Sequence, residues 1–339
     1  MSLSPGAMET AIQFDHPCPL LIVTVNYRTA DLVIESLRSL MPEIAAVPGT
    51  RVVVVDNPSG DDSVAKISAA IAAEGWGEWA SVVASDRNGG YAYGNNVAIR
   101  PALASDNPPP YFLLLNPDTQ VRPGALKALL DFMQEHSDVG ICGSSFEEAD
   151  GSPWHIAFRF PTLISEMEDG IRLGIVSTLL ARWRVSKTMT QEQQPIDWLS
   201  GASMMIRREV FEAIGLMDEG YFLYFEETDF CLQAKRAGWS CWYVPESRVM
   251  HIAGQSTGVT VRSGPPKRLP QYWFDSRRRY FTKNHGVVYA AFADVAWMGG
   301  FALWRLRRIV QRKPDVDPPQ LLSDFFHNSV FFKPPAKLT

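Results

Sequence analysis

The sequence predicts an α/β protein: a mostly parallel central sheet flanked by helices, with a helical C-terminal extension. Short apolar runs of strand length alternate with helix-patterned segments through roughly the first 140 residues. Polar residues gather where those runs end. At 339 residues and 46% hydrophobic content, the chain can bury a large core as one big or two fused domains.

Residues 20–25 (LLIVTV) read as the first buried strand and are too short for a secretory signal. Asn26 and Thr29 lead into a helix with apolar positions Leu32, Val33, Leu37 and Leu40, ended by Pro42, Pro48 and Gly49. Residues 51–55 form a second strand that runs into the turn sequence Asp56-Asn57-Pro58. A helix over 62–74, a strand over 80–84, a helix from about Tyr93, a strand over 111–115 and a helix over 121–134 follow. Such alternation implies a parallel sheet covered on both faces, where ligands gather at the carboxyl ends of the strands. Asp56, Asp86 and Asn116-Pro117-Asp118 all stand at such ends.

The second half is less regular. Residues 150–195, with Pro153, Trp154, Phe158, Phe160 and Pro161, suggest an insertion or flap. A strand over 197–207, a short glycine-capped helix over 208–215, a helix over 227–238 and a strand over 239–244 follow, with Pro245 at its end and His251 beyond.

The four cysteines, Cys18, Cys142, Cys231 and Cys241, lack metal-like spacing and read as buried thiols in a reducing, cytoplasmic compartment. Residues 1–18 read as a leader or frayed tail. Residues 262–313 hold twelve Lys/Arg against Asp275 and Asp294, a net of +10 in a chain of net −5. A basic tail on an acidic body suggests an anionic partner, phosphate groups or a membrane surface. No helix-turn-helix or RNA-binding aromatic pattern accompanies the charge, so nucleic acid is not expected.

The segment Tyr221 to Asp229 sets Glu226, Glu227 and Asp229 directly after a row of aromatic residues. Carboxylates held against apolar rings lose hydration, which raises proton affinity and suits general-base work. Asp56 can accept hydrogen bonds from a pyrimidine base or ribose, or can simply form the turn before Pro58. Residues 86–96, with Asp86, Asn88, Gly89, Gly90 and Asn95, are glycine-rich between a strand and a helix, which allows close backbone approach to a phosphate. Asp118, at the exit of a strand buried by three leucines, can offer a carboxylate oxygen to a hard cation such as magnesium or manganese; the alternative is an Asp/Asn turn. His251 can complete that shell or be structural. Asp197-Trp198-Leu199-Ser200-Gly201-Ala202 suits a sugar-facing platform or a core strand. Arg277-Arg278-Arg279 suits phosphate or a lipid headgroup, or a solvated face.

Taken in order, Val23-Thr24-Val25-Asn26-Tyr27, Val54-Val55-Asp56-Asn57, Asn88-Gly89-Gly90-Tyr91-Ala92 with Gly94-Asn95-Asn96, Leu115-Asn116-Pro117-Asp118, Gly201-Ala202, Phe225-Glu226-Glu227-Thr228-Asp229 and His251 resemble the family-2 glycosyltransferases of GT-A fold. The nearest branch is the bacterial rhamnosyltransferase-like one, over roughly residues 19–285. The resemblance implies an inverting displacement from a dTDP- or UDP-sugar donor to a glycan or lipid-linked glycan acceptor in cell-surface polysaccharide assembly. Asn26, Asp56 and Asn57, the glycine-rich loop, Asn116, Trp198 and Gly201 would bind the nucleotide sugar. Asp118 and His251 would hold the metal, magnesium or manganese. Glu227 would deprotonate the acceptor, with Glu226 and Asp229 as orienting neighbours. Many members carry Asp-x-Asp where this chain has Asn116, and Glu-Asp where it has Glu226-Glu227.

On this reading residues 19–140 bind the nucleotide sugar and 141–285 hold the acceptor and catalytic half, with a tail over 286–339. Residues 286–304 carry one charge, Asp294, ahead of Arg305, Arg307, Arg308, Arg312 and Lys313. An interfacial helix on anionic lipid is expected, at the inner face of a bacterial plasma membrane; packing on the body and a true span are the alternatives. Pro314, Pro318 and Pro319 suggest an extended arm beyond it. Oligomeric state stays open. A sugar-nucleotide nucleotidyltransferase would want a glycine- and arginine-rich loop where Asn26-Tyr27-Arg28-Thr29 stands. A nucleotide-sugar-binding protein with a weak site is the other alternative.

Overall fold

A computed structural model describes residues 17–148, 150–154, 157–187, 190–252 and 266–334. The first half follows the alternation: β1 (Leu21–Asn26), α1 (Ala30–Ala46), β2 (Arg51–Asp56), α2 (Ser63–Ala73), β3 (Ala80–Ala84), α3 (Gly90–Leu103) and β4 (Tyr111–Leu115). Strands β3, β2, β1 and β4 lie side by side and parallel. All six residues of β1 and all five of β4 are buried, as strands covered on both faces must be. The chain runs outward from β1 to β2 on one side and to β4 on the other. This places a topological switch, and hence a crevice, at the ends of β1 and β4.

The expected helix over 121–134 begins later. Thr119–Val121 is a short strand, β5, and α4 spans Ala125–Glu135. Pro123 and Gly124 separate them, and the buried Glu43 carboxylate caps α4, accepting from the N–H groups of Gly124 at 2.7 Å and Leu126 at 2.9 Å. The helix expected from Tyr93 begins at Gly90.

The second half departs further. A strand absent from the sequence reading, β6 (Val139–Glu147), precedes the short strands β7 (Pro153–Trp154) and β8 (Ala157–Phe158). Within the presumed flap lie two helices, α5 (Leu163–Ile171) and α6 (Gly174–Leu179), before β9 (Gln194–Ile196). The strand expected over 197–207 is broken into β10 (Trp198–Leu199) and β11 (Ser203–Arg207) by a turn at Ser200–Ala202. Helices α7 (Arg208–Ile214) and α8 (Glu226–Arg236) follow, then β12 (Ser240–His251). Pro245 does not end β12; a register shift between Val244 and Arg248 absorbs it, and His251 is the strand's last residue. The main path of the sheet is β3-β2-β1-β4-β11-β6-β12-β5, with β11 antiparallel between β4 and β6. The sheet is therefore mixed, parallel in its larger part.

A long helix, α9 (Gln271–Val310), has one non-helical residue, Gly286 (φ 84°), and runs across the expected boundary at 285/286. It packs along α5 and against α10 (Leu321–Asn328), which replaces the extended arm expected there. Two apolar layers cover the faces of the sheet, and a separate cluster of Phe274, Trp297, Phe301, Leu321 and Phe325 joins α9 to α10. The four cysteines are buried and unbridged.

Candidate active site

The carboxyl ends of β1 and β2 carry a buried polar pair: Asn26 Nδ2 donates to Asp56 Oδ1 at 2.5 Å, and Asn26 Oδ1 accepts from the Thr29 hydroxyl at 2.8 Å. Burial raises the Asp56 carboxyl above its ordinary range, against the lowering effect of the Asn26 bond. Asn57 ties this floor to the glycine-rich loop, its Nδ2 donating to Gly90 O at 3.1 Å and its Oδ1 accepting from Ser85 Oγ at 3.1 Å. Asn88 Oδ1 accepts from the Gly90 N–H. Asp86 holds the Tyr93 hydroxyl, and Gly89 leaves room for the Tyr93 ring. Asn95 donates back to Tyr91 O at 2.9 Å.

Gly90 has a specific steric reason to be glycine. It sits at φ +86°, and a Cβ there would lie 1.8 Å from Phe222 O, the carbonyl that accepts the Tyr91 N–H at 2.9 Å. The loop and the aromatic segment before α8 are thereby clamped together.

Beyond β4, Asp118 and His251 are brought into contact from distant parts of the chain, because β5 pairs with β12 through Thr119 and His251. Asp118 Oδ1 lies 3.2 Å from His251 Nε2, and both side chains are buried. The imidazole is placed by rings, Phe146 at 5.2 Å and Trp154 at 5.3 Å between centroids, while its Nδ1 has no hydrogen-bond partner among the described residues. No group of three or more His, Cys, Asp or Glu side chains gathers as a metal cage among the described residues.

Glu226 and Glu227 open α8 and face the same cavity as Asp118 and His251. Glu226 is 2% exposed and its Oε2 has no hydrogen-bond partner among the described residues. Burial, and then the neighbouring Glu227 charge, push its carboxyl well above the usual range. Burial also raises Glu227, against hydrogen bonds from backbone N–H groups, including that of Gly201 at 3.2 Å. The two titrate as a pair, so one proton is held more tightly than either carboxyl alone would hold it. Gly201 lets this happen: a Cβ there would meet the Tyr91 hydroxyl at 2.7 Å and Glu227 Cγ at 3.1 Å. Tyr91 donates to Gly201 O at 2.7 Å, and its hydroxyl is raised well above the usual range by burial and by Glu227 and Glu226. Just before the pair, Tyr224 and Phe225 both adopt left-handed backbone, at φ 69° and 67°. Strain of this kind persists only where packing over-determines it; here Ser276 Oγ holds Leu223 O at 2.9 Å and Phe225 packs on Tyr280 at 5.5 Å.

Asp229 belongs elsewhere. One turn along α8, it is 2% exposed, accepts from Lys283 Nζ at 2.6 Å and Asn284 Nδ2 at 2.6 Å, and does not line the cavity. It was expected to orient Glu227 or the acceptor; in the structure its contacts anchor α8 to α9. The basic run is also corrected. Arg277, Arg278 and Arg279 are neither solvated nor free for an anion, being buried against Glu166 and Asp294, Asp275, and Asp218 respectively.

The cavity measures about 690 Å³. Asn116, Asp118, Trp198, Glu226, Glu227 and His251 line it, whereas Asn26, Asp56, Asn57, Asp86 and the glycine loop up to Gly90 lie along the sheet edge beside it, joined through Tyr91. Trp198 stacks on Phe158 at 4.3 Å and donates from Nε1 to Arg159 O at 2.9 Å, giving a fixed aromatic wall. Three acidic residues of α5, namely Glu166, Glu168 and Asp169, also line the cavity and were not singled out in the sequence. The signal for them was a capping box, Thr162 with Ser165, which starts α5 inside the irregular stretch.

The family model described as "Glycosyltransferase like family 2" matches residues 16–264. The chain is 32% identical over 181 residues to N-acetylglucosaminyl-diphospho-decaprenol L-rhamnosyltransferase of Mycobacterium tuberculosis, covering 50% of this chain and 57% of that protein. It thus spans a little over half the length of that curated relative. To the dTDP-rhamnosyl transferase RfbF of Shigella flexneri it is 24% identical over 284 residues, 82% of this chain and 84% of the relative. Among solved structures, the mannosyltransferase PcManGT from Pyrobaculum calidifontis, in complex with GDP-Man and Mn2+, is similar with a TM-score of 0.54 at 13% identity, over 95% of this chain and 83% of that one. That last likeness is one of fold.

Proposed function

The chain belongs to the glycosyltransferase-like family 2 and has the GT-A fold, and from that premise we propose that it is an inverting glycosyltransferase of cell-surface polysaccharide assembly. The sugar we assign is rhamnose or a close relative, carried by a dTDP or UDP donor and passed to a hydroxyl of a glycan or lipid-linked glycan; the names of the relatives support it. The observation that carries the reading is the Glu226–Glu227 pair, desolvated on the wall of a cavity that also holds Asp118 and His251.

In this reading Glu227 takes the proton of the acceptor hydroxyl as that oxygen attacks the anomeric carbon, and the C–O bond to the diphosphate breaks on the opposite side. Burial keeps the proton affinity of Glu227 high, and the Glu227 charge in turn raises that of Glu226. Gly201 N–H holds the base in place, and the Tyr91 hydroxyl in turn holds the Gly201 carbonyl. No second carboxylate need act as a nucleophile, which distinguishes the arrangement from a retaining hydrolase. Asp56, held by Asn26, would face the nucleotide base; the N–H groups of Gly90 and Tyr91 are already taken by Asn88 and Phe222 rather than offered to phosphate. Trp198 offers a ring face to sugar C–H groups.

A divalent metal fits the Asp118–His251 pair in part. One carboxylate oxygen and one imidazole nitrogen converge at the cavity wall, with Asn116 beside them as a neutral oxygen donor, so magnesium or manganese would take its remaining ligands from substrate. When bound, such an ion would offset the charge that develops on the leaving diphosphate. A nucleotidyltransferase is not favoured, since the family match and the base pair both point to transfer.

Glu227→Gln tests the assignment. Acceptor-dependent release of nucleoside diphosphate should fall by about a hundredfold or more, while donor binding measured by calorimetry stays at the parent value. Turnover equal to the parent would remove Glu227 from the role.

A further inference from the structure

Helix α9 is apolar on two opposite sides. Its inner side, with Ala290, Ala293, Trp297 and Phe301, is buried against the body. On the other side run Val288, Phe292, Val295, Leu303, Leu306 and Val310, spaced to fall on one stripe and each 54% to 82% exposed. Single exposed apolar residues are ordinary on a protein surface, but a contiguous row marks a place of interaction.

A second segment, distant in sequence, joins it. Residues 172–187 (RLGIVSTLLARWRVSK) carry no acid and four cations, of which Arg172 and Arg184 are paired with Asp317 and Glu168 from outside the segment. They include α6, none of whose residues is buried, with Ile175 and Leu179 at 67% and 74% exposure. The start of this segment is fastened to α9, because Arg307 donates to the carbonyls of Ile171 at 3.0 Å and Arg172 at 2.6 Å, and Gly300 lies directly against Ile171. Asp315 takes up Arg305 and Arg308. By contrast, Arg182 stacks on Trp183, Lys313 reaches over Trp304 and Arg307 binds carbonyls, so among the described residues these three cations meet no carboxylate.

We propose that this face docks in the plane of an anionic phospholipid bilayer. The apolar stripe of α9 and the side chains of α6 enter the boundary between headgroups and acyl chains, and Arg182, Arg307 and Lys313 meet lipid phosphates. Charge selects this occupant: a second copy of the chain would bring the same cations face to face, whereas anionic lipid neutralises them. The helix lies along the surface and does not cross, because its inner side is built into the body and its Asp294 is buried in an ion pair with Arg277 at 2.5 Å. Docking also sets the cavity beside the membrane, since α5, whose Glu166 and Asp169 line the cavity, leads directly into α6. The surface adds a partner to the transfer reading without depending on it.

The test is flotation of the full chain with vesicles of phosphatidylcholine, with and without phosphatidylglycerol. The parent should float with the anionic vesicles and roughly tenfold less with phosphatidylcholine alone. The double variant Phe292→Glu/Leu306→Glu should lose about tenfold or more of that binding with an unchanged Tm, and Arg182→Glu/Lys313→Glu should abolish the preference for phosphatidylglycerol. Both should release nucleoside diphosphate with a water-soluble acceptor as the parent does. A parent that releases none yet floats would sink the transfer reading and leave the docking face standing. A parent that stays at the bottom of both gradients, or a Phe292→Glu/Leu306→Glu variant that floats as the parent does, overturns the proposal. So does a dimer that this variant dissolves while neither protein binds vesicles, which would give the face to a second copy.

Discussion

Glu226 and Glu227 trade stability for reactivity, and the sign can be worked out. Their carboxyls are raised in the folded chain above an ordinary value of about 4.5. Below that value the pair is protonated in folded and unfolded chains alike and costs the fold nothing. As pH rises through the raised value, the unfolded chain has already lost its protons and the folded one must ionise a buried pair, so stability falls. Activity runs the other way, because the base works only when deprotonated. Glu226→Gln should therefore raise the stability at pH 7 by about 1–3 kcal/mol and change it little at pH 4, measured by denaturant unfolding. The acid limb of the activity profile should stay near the parent's in this variant, since burial raises Glu227 whereas Glu226 is the member raised by its neighbour's charge. At this scale the sequence pointed to the pair that the structure buries on the cavity wall, because three carboxylates behind four aromatic residues are visible without a structure. It could not separate Asp229 from them: the partners that claim Asp229, Lys283 and Asn284, lie more than fifty positions away and meet it only through the packing of α8 on α9.

Among the elements, the parallel first half was legible because buried strands of Leu, Ile and Val stand between helices with clear apolar spacing. The mixed second half was harder. β6 carries small residues, Gly140, Gly143, Ser144 and Ser145, that mute its apolar signal. Gly140 and Gly143 are small because Trp239, Val210 and Leu199 pack directly on the strand, a reason that lies in other elements. The join between the glycine-rich loop and α8 is the element-level feature with the clearest mechanical prediction. Gly90→Ala would put a methyl group onto Phe222 O and force a left-handed conformation on alanine. It should cost about 2 kcal/mol or more of stability in denaturant unfolding and, under the proposed reaction, shift both donor binding and turnover because the loop and the segment leading into α8 share that contact.

Across the whole molecule, the charge asymmetry read from the sequence resolves into two populations. The cations of α9 nearest the body are internal struts: Arg277 bridges Glu166 Oε2 at 2.5 Å and Asp294 Oδ1 at 2.5 Å, beneath the rings of Phe281 and Phe325. Farther along, Arg305 and Arg308 are taken up by Asp315, and Arg307 binds the carbonyls of Ile171 and Arg172. Counting charge along the chain cannot distinguish the two, since burial is a property of the assembled helices. Arg277→Met leaves two carboxylates buried without a counter-ion and should destabilise by about 3–5 kcal/mol. Adding Glu166→Gln and Asp294→Asn should recover most of it, as read from thermal unfolding of the single and triple variants.

That bridge continues past α9, because Asp294 Oδ2 accepts the N–H of Val330 at 2.9 Å and Phe325 lies 4.4 Å from the Arg277 guanidinium. During synthesis the sheet and its polar rim emerge first and can fold as they leave the ribosome. The wall that carries Glu166 must wait for residues 325–330, some 160 positions later, before its counter-charge is locked. On a nascent chain the Glu166 side of the cavity would therefore stay unfastened after the strands of the sheet have emerged.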